Sequence, residues 1–341
     1  MLPAAGNPRV EVAPPIGRGP NLVPADATKM VNPGQEPASH VPFGAPPLGD
    51  VVPAQSASAS PTPSRVWPVF VLLFLVIIVI FILQIAAVVP FVVWHQQRGI
   101  KPGQLQTELL ASLSHPAAFI ALAALGQLPM GGGALLAAWF SPVPLARRLG
   151  FVPSAWSGRE TAIVLLGTIV PFAIGISSAY ALAEVISPDP SVKKLYESMT
   201  PAWFCLFIPF IALAPAFNEE MLFRGYMQRR LLERFNPWVA LAVTSIIFGL
   251  FHLMPHAIVA AFPLGVWLGL MAWRSGSIWP GIICHALVNG LWNLRAMAVK
   301  FEYITESPPL TALIVFGVIG LIAFVWSLRI MFSRPAATAV N

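Results

Sequence analysis

Residues 67–94 read WPVFVLLFLVIIVIFILQIAAVVPFVVW, 28 positions without one ionisable group. About 20 predominantly apolar residues suffice to carry a helix across a bilayer. In lipid every backbone polar group must be satisfied within the chain, which leaves a helix as the natural form for such a run. Working outward, further apolar runs lie at 115–140, 160–186, 201–234, 237–254, 257–273, 278–297 and 309–331. The fold class expected is therefore all-α: a polytopic integral membrane protein with about eight transmembrane helices. Tryptophans stand near many of the ends (Trp67, Trp94, Trp139, Trp203, Trp238, Trp273 and Trp279), as interfacial anchors do.

Composition agrees. Only 10% of residues are charged and 57% are hydrophobic, with a mean hydropathy of +0.74, whereas soluble domains carry about 25% charge. The net charge of +6 is assigned to loops that set membrane orientation, so the expected partner is the lipid bilayer and not nucleic acid. With eight crossings both termini share one side. That side collects Arg65, Arg147, Arg148, Arg159, Arg229, Arg230, Arg234, Arg274, Arg329 and Arg334, which predicts cytoplasmic termini. The two cysteines, Cys205 and Cys284, fall inside apolar runs and are expected to be packing residues.

Residues 1–65 are different in kind. They hold 14 of the 35 prolines and no apolar period, so they cannot bury enough surface to offset chain entropy and are expected to form a disordered tail. The chain then divides into two N-terminal transmembrane helices (66–150), a core (151–297), and a last transmembrane helix with a short tail (298–341).

Ionisable groups inside membrane spans are costly and mark functional sites by default. Three stretches carry them: Asn218-Glu219-Glu220-Met221-Leu222-Phe223-Arg224, Phe248-Gly249-Leu250-Phe251-His252, and His285-Ala286-Leu287-Val288-Asn289. On an α-helix neighbours point about 100° apart, so Glu219 and Glu220 face different ways. Glu220 precedes Arg224 by four residues, the order that favours an ion pair. Phe248 and His252 share a helical face, as do His285 and Asn289. At 1.5 Å per residue, Glu219 and His252 lie roughly 22 Å below their cytoplasmic span ends, His285 about 14 Å and Asn289 about 20 Å. All four can therefore meet near the bilayer middle.

A desolvated carboxylate beside a histidine can take a proton from water and pass it to a leaving amine. A histidine and an asparagine amide can donate to an oxyanion. This set suffices for peptide hydrolysis with no cofactor required. Glu219, His252 and His285 could instead hold zinc with an open water position. Gly265 and Gly269, at small-xxx-small spacing, are expected to permit close helix packing.

The three stretches resemble the EExxxR, FxxxH and HxxxN motifs of the CAAX prenyl endopeptidase type 2 family, also known as CAAX protease and bacteriocin-processing proteins. Phe262-Pro-Leu-Gly265, Gly269 and Arg274-Ser-Gly-Ser-Ile-Trp-Pro280 also resemble the segment before that family's last histidine. The resemblance covers roughly residues 151–293. It implies an intramembrane endopeptidase acting on a membrane-associated or lipidated peptide or protein. Glu219 would be the general base, His252 its partner in activating water, and His285 with Asn289 the oxyanion site. Glu220, Arg224 and Phe248 would be supporting residues. Two other readings use the same residues: a non-enzymatic scaffold or bacteriocin-immunity-type protein, and a proton-coupled transporter.

Overall fold

Proline marks where most helices begin. The first turn of a helix needs no amide hydrogen, and proline's fixed φ suits it. Pro stands at the first or second position of α1 (Trp67–Gln97), α2 (Pro102–Leu113) and α3 (Pro116–Trp139). The short α4 (Leu145–Leu149), which lacks this signal, leads through the left-handed Gly150 towards α5 (Gly158–Gly167) and α6 (Ile169–Ala183). Pro again opens α7 (Pro190–Ser198) and α8 (Pro201–Glu219). A π-helical segment, Glu220–Gln228, and α9 (Arg229–Leu232) prolong α8. Then come α10 (Pro237–Leu250), α11 (Pro255–Ser275) and α12 (Trp279–Lys300), each with an early Pro, and α13 (Leu310–Phe332). This computed structural model describes residues 65–335. The expectation of a disordered tail over 1–65 falls almost wholly outside that range.

Among the described residues there is no strand. Seven helical runs are long and apolar enough to cross a membrane: α1, α3, Gly158–Ala183, Pro201–Leu232, α11, α12 and α13. The chain is thus an integral, multi-pass membrane protein. The eighth expected span is shorter than its apolar run. α10 has 14 residues, about 21 Å at 1.5 Å per residue, against a hydrocarbon core of about 30 Å. Pro255 is the cause. The residue before proline is pushed out of helical geometry, and Met254 is extended at φ −83° and ψ 131°. The run 237–254 therefore divides into a helix and a tight turn containing Leu253 at φ 61°.

Close backbone approach replaces hydrophobic attraction between helices in lipid. A Cβ on Gly225 would lie 2.6 Å from the Leu149 carbonyl oxygen, so the π segment packs directly on α4. On α11, a Cβ at Gly269 would meet Leu241 of α10 at 2.5 Å. Three short helices, α2, α4 and α7, lie between spans where the apolar runs left gaps. Of these, α7 is held to α12 by Lys300, whose Nζ donates to the Tyr196 and Glu197 carbonyls at 2.7 Å each. Cys284 is buried and free, and Cys205 is exposed and free.

Candidate active site

The fourth span changes its hydrogen-bonding pattern at Glu220. Glu220–Gln228 is π-helical and all nine of its residues are buried. Bonds of the i→i+5 type are rare and concentrate at functional sites. Nothing in the residue spacing announces this segment, which reads as ordinary α-helix in the sequence.

Within it, Arg224 Nη1 donates to Glu220 Oε1 at 2.8 Å, and both side chains are fully buried. Arg224 Nη2 donates to the Gly265 carbonyl at 3.0 Å, and the guanidinium lies 4.1 Å from the centroid of Phe248. Gly265 makes room for this layer, since a Cβ there would sit 2.9 Å from Phe248 Cδ1. One turn on, Gln228 Nε2 donates to the Gly269 carbonyl at 2.8 Å. The two glycines thus leave their carbonyls open to polar side chains as well as letting helices approach.

Glu219 turns towards other partners. Its Oε1 accepts a 2.8 Å hydrogen bond from Gln127 Nε2 on α3. Its Oε2 lies 4.0 Å from Nε2 of His285. His285, 3% exposed, has Nδ1 3.2 Å from Glu220 Oε1. An ionised carboxylate can only accept, so Nδ1–H donates to Glu220. His285 is therefore wedged between two carboxylates, one of which already faces Arg224. Gly281, on the preceding turn of α12, permits the approach: its Cβ would lie 3.0 Å from Glu220 Oε2.

His252 departs from its expected place on a helical face. α10 ends at Leu250, and His252 lies in the following turn with its amide donating to Gly249 at 3.0 Å. Its Nδ1 is 3.0 Å from the Phe248 carbonyl oxygen. The rings of His252 and Phe248 meet at 5.1 Å, and Phe248 meets His285 at 6.0 Å. Phe248 is thus the common wall of both histidines. Among the described residues, no hydrogen bond or ion pair joins His252 to Glu219.

Asn289 has a partner explained by a proline. Pro215 lacks the amide hydrogen that would bond the carbonyl four residues earlier, that of Ile211. Asn289 Nδ2 donates to this freed carbonyl at 3.2 Å. One amide hydrogen is engaged and the second stays available. Asn293 Nδ2 donates to the Asn289 carbonyl at 2.7 Å, and Tyr196 on α7 donates in turn to Asn293 Oδ1. Burial pushes the Tyr196 phenol up to about 12.

The alternative zinc set is not assembled. Among the described residues no group of three or more His, Cys, Asp or Glu could hold a metal ion. Glu219 and Glu220 flank His285, while among the described residues His252 bonds instead to the Phe248 carbonyl oxygen. His256, four residues after His252, instead has Nε2 2.9 Å from the Ile186 carbonyl oxygen.

Sequence reasoning overlooked Gln127, Gln228, Asn293 and Gly281. Three are amides inside apolar spans, a weaker form of the signal that singled out the charged residues. Residues 201–291 match the family model described as type II CAAX prenyl endopeptidase Rce1-like, the family that the three motifs resemble. That segment holds all seven motif residues, and the family is one of peptidases. No curated protein and no solved structure matches the chain.

Proposed function

We propose that this chain is an intramembrane endopeptidase that hydrolyses a peptide bond in a membrane-associated or lipidated substrate. The observation that carries the reading is the enclosure of His285 between Glu219 and Glu220, with Glu220 neutralised by buried Arg224. Only one of the two carboxylates is committed to a cation, which leaves Glu219 for chemistry. Glu219 takes a proton from water as the oxygen attacks the scissile carbonyl carbon, then returns it to the departing amine nitrogen. His252, whose ring shares Phe248 as a neighbour with His285, helps orient that water. His285 and the second amide hydrogen of Asn289 face the developing oxyanion. No step of this route uses a metal. The arginines of the loops, as the sequence assigns them, favour cytoplasmic termini when α10 and its following turn are counted as a crossing.

Purified protein in detergent or liposomes, given lipidated and unlipidated hydrophobic peptides, tests the reading through new termini found by mass spectrometry. Cleavage that is lost in His252→Ala and reduced roughly 10² to 10³-fold in Asn289→Ala supports it. Folded protein that generates no new terminus from any membrane-anchored substrate favours the scaffold reading instead.

A further inference from the structure

Gln127 lies outside the family match, on a helix that the motifs do not include, yet it makes the only hydrogen bond found for Glu219's carboxylate among the described residues. With Glu219 ionised, only the amide N–H of Gln127 can bond to it, so the amide oxygen takes no part in that hydrogen bond. That oxygen is buried and has no hydrogen-bond partner. The same holds for Glu219 Oε2 and Glu220 Oε2. Buried acceptors with no donor are costly unless a donor enters. Water supplies two donors and needs two to four polar partners.

We infer that Gln127 is a positioning residue: its amide N–H fixes the Glu219 carboxylate, and its amide oxygen, with Glu219 Oε2, holds the water that Glu219 activates. The inference rests on the hydrolytic reading for the role of that water, and it extends the working site to α3. The water donates one hydrogen to Glu219 and the other to the Gln127 amide oxygen, which leaves an oxygen lone pair for the carbonyl carbon. Attack forms the C–O bond, the proton passes to Glu219, and collapse moves it to the amine as the C–N bond breaks.

Two measurements on the full chain separate this inference from the reading beneath it. Infrared difference spectra against Glu219→Gln isolate the Glu219 carboxyl band without substrate. Gln127→Leu is expected to shift that band, while Gln127→Asn, which keeps a shorter amide, gives a smaller shift. An unmoved band overturns the inference whether or not the chain cleaves peptides. In cleavage assays, Gln127→Leu is expected to lower kcat roughly 10²-fold with KM within a few-fold of wild type, and Gln127→Asn to recover part of it. Unchanged kcat in folded Gln127→Leu overturns the inference. A shifted band in a chain that cleaves nothing would sink the protease reading while supporting the hold of Gln127 on Glu219.

Discussion

Compare α1 with the π segment. α1 is the most apolar span, yet of its 31 residues only Val69, Leu73, Val76 and His95 are buried. The π segment carries Glu220, Arg224 and Gln228 among nine residues, and every one is buried. In a soluble protein the pattern would be reversed. Lipid solvates apolar side chains as well as the protein interior does, so α1 loses nothing by exposure. It cannot solvate a guanidinium or a carboxylate, so the polar segment must be enclosed by protein. Stability is therefore expected to be concentrated in the polar interior, and substitutions at the two kinds of site should behave oppositely.

The largest effect is expected at Arg224. Removing one partner of a buried ion pair costs about 3–5 kcal/mol, because the other charge is left unpaired. Arg224→Ala should abolish the folded state or lower its thermal midpoint in detergent sharply, whereas Glu220→Gln with Arg224→Met should be much milder. Equal losses in the single and double variants would break the comparison.

Glycine sharpens it at intermediate size. Gly225→Ala drives a methyl against the Leu149 backbone carbonyl at 2.6 Å, an overpacking expected to cost about 1–3 kcal/mol. Gly317 on α13 has nothing within 4 Å of a built Cβ. Gly317→Ala should be neutral or stabilising by up to about 1 kcal/mol. Unfolding curves of the two variants should shift in opposite directions.

A smaller effect is expected where α7 joins α12. Tyr196→Phe removes the hydrogen bond to Asn293, worth about 1 kcal/mol. The phenol is raised from 10.0 to about 12, so the folded chain keeps its proton at pH values where the unfolded chain has lost it. Its contribution to stability is full below about pH 10 and fades between about pH 10 and 12. Unfolding measured across that window should fall less steeply in Tyr196→Phe than in wild type.

Much of this was legible in the sequence, and the remainder was hidden for identifiable reasons. The apolar runs located seven spanning helices because their signal is local and strong. The site residues stood out because charge is rare in such runs. Pro255 carried enough information to end α10 and move His252 into a turn, but the apolar run 237–254 hides the break. The π segment has no local signature, since its residues are good α-helix formers with an ordinary i,i+4 ion pair. Gln127 could not be paired with Glu219 by spacing, because the two are 92 positions apart. Asn289 was read by its helical face alone, while its partner follows from Pro215 on another helix.

The central claim is that Glu219 is the carboxylate free for chemistry. The most direct test compares wild type with the isosteric Glu219→Gln on one cleaved peptide, with thermal unfolding measured on both. The account predicts an unchanged fold and a loss in kcat of at least roughly 10²-fold. A folded Glu219→Gln that cleaves within a few-fold of wild type would contradict it.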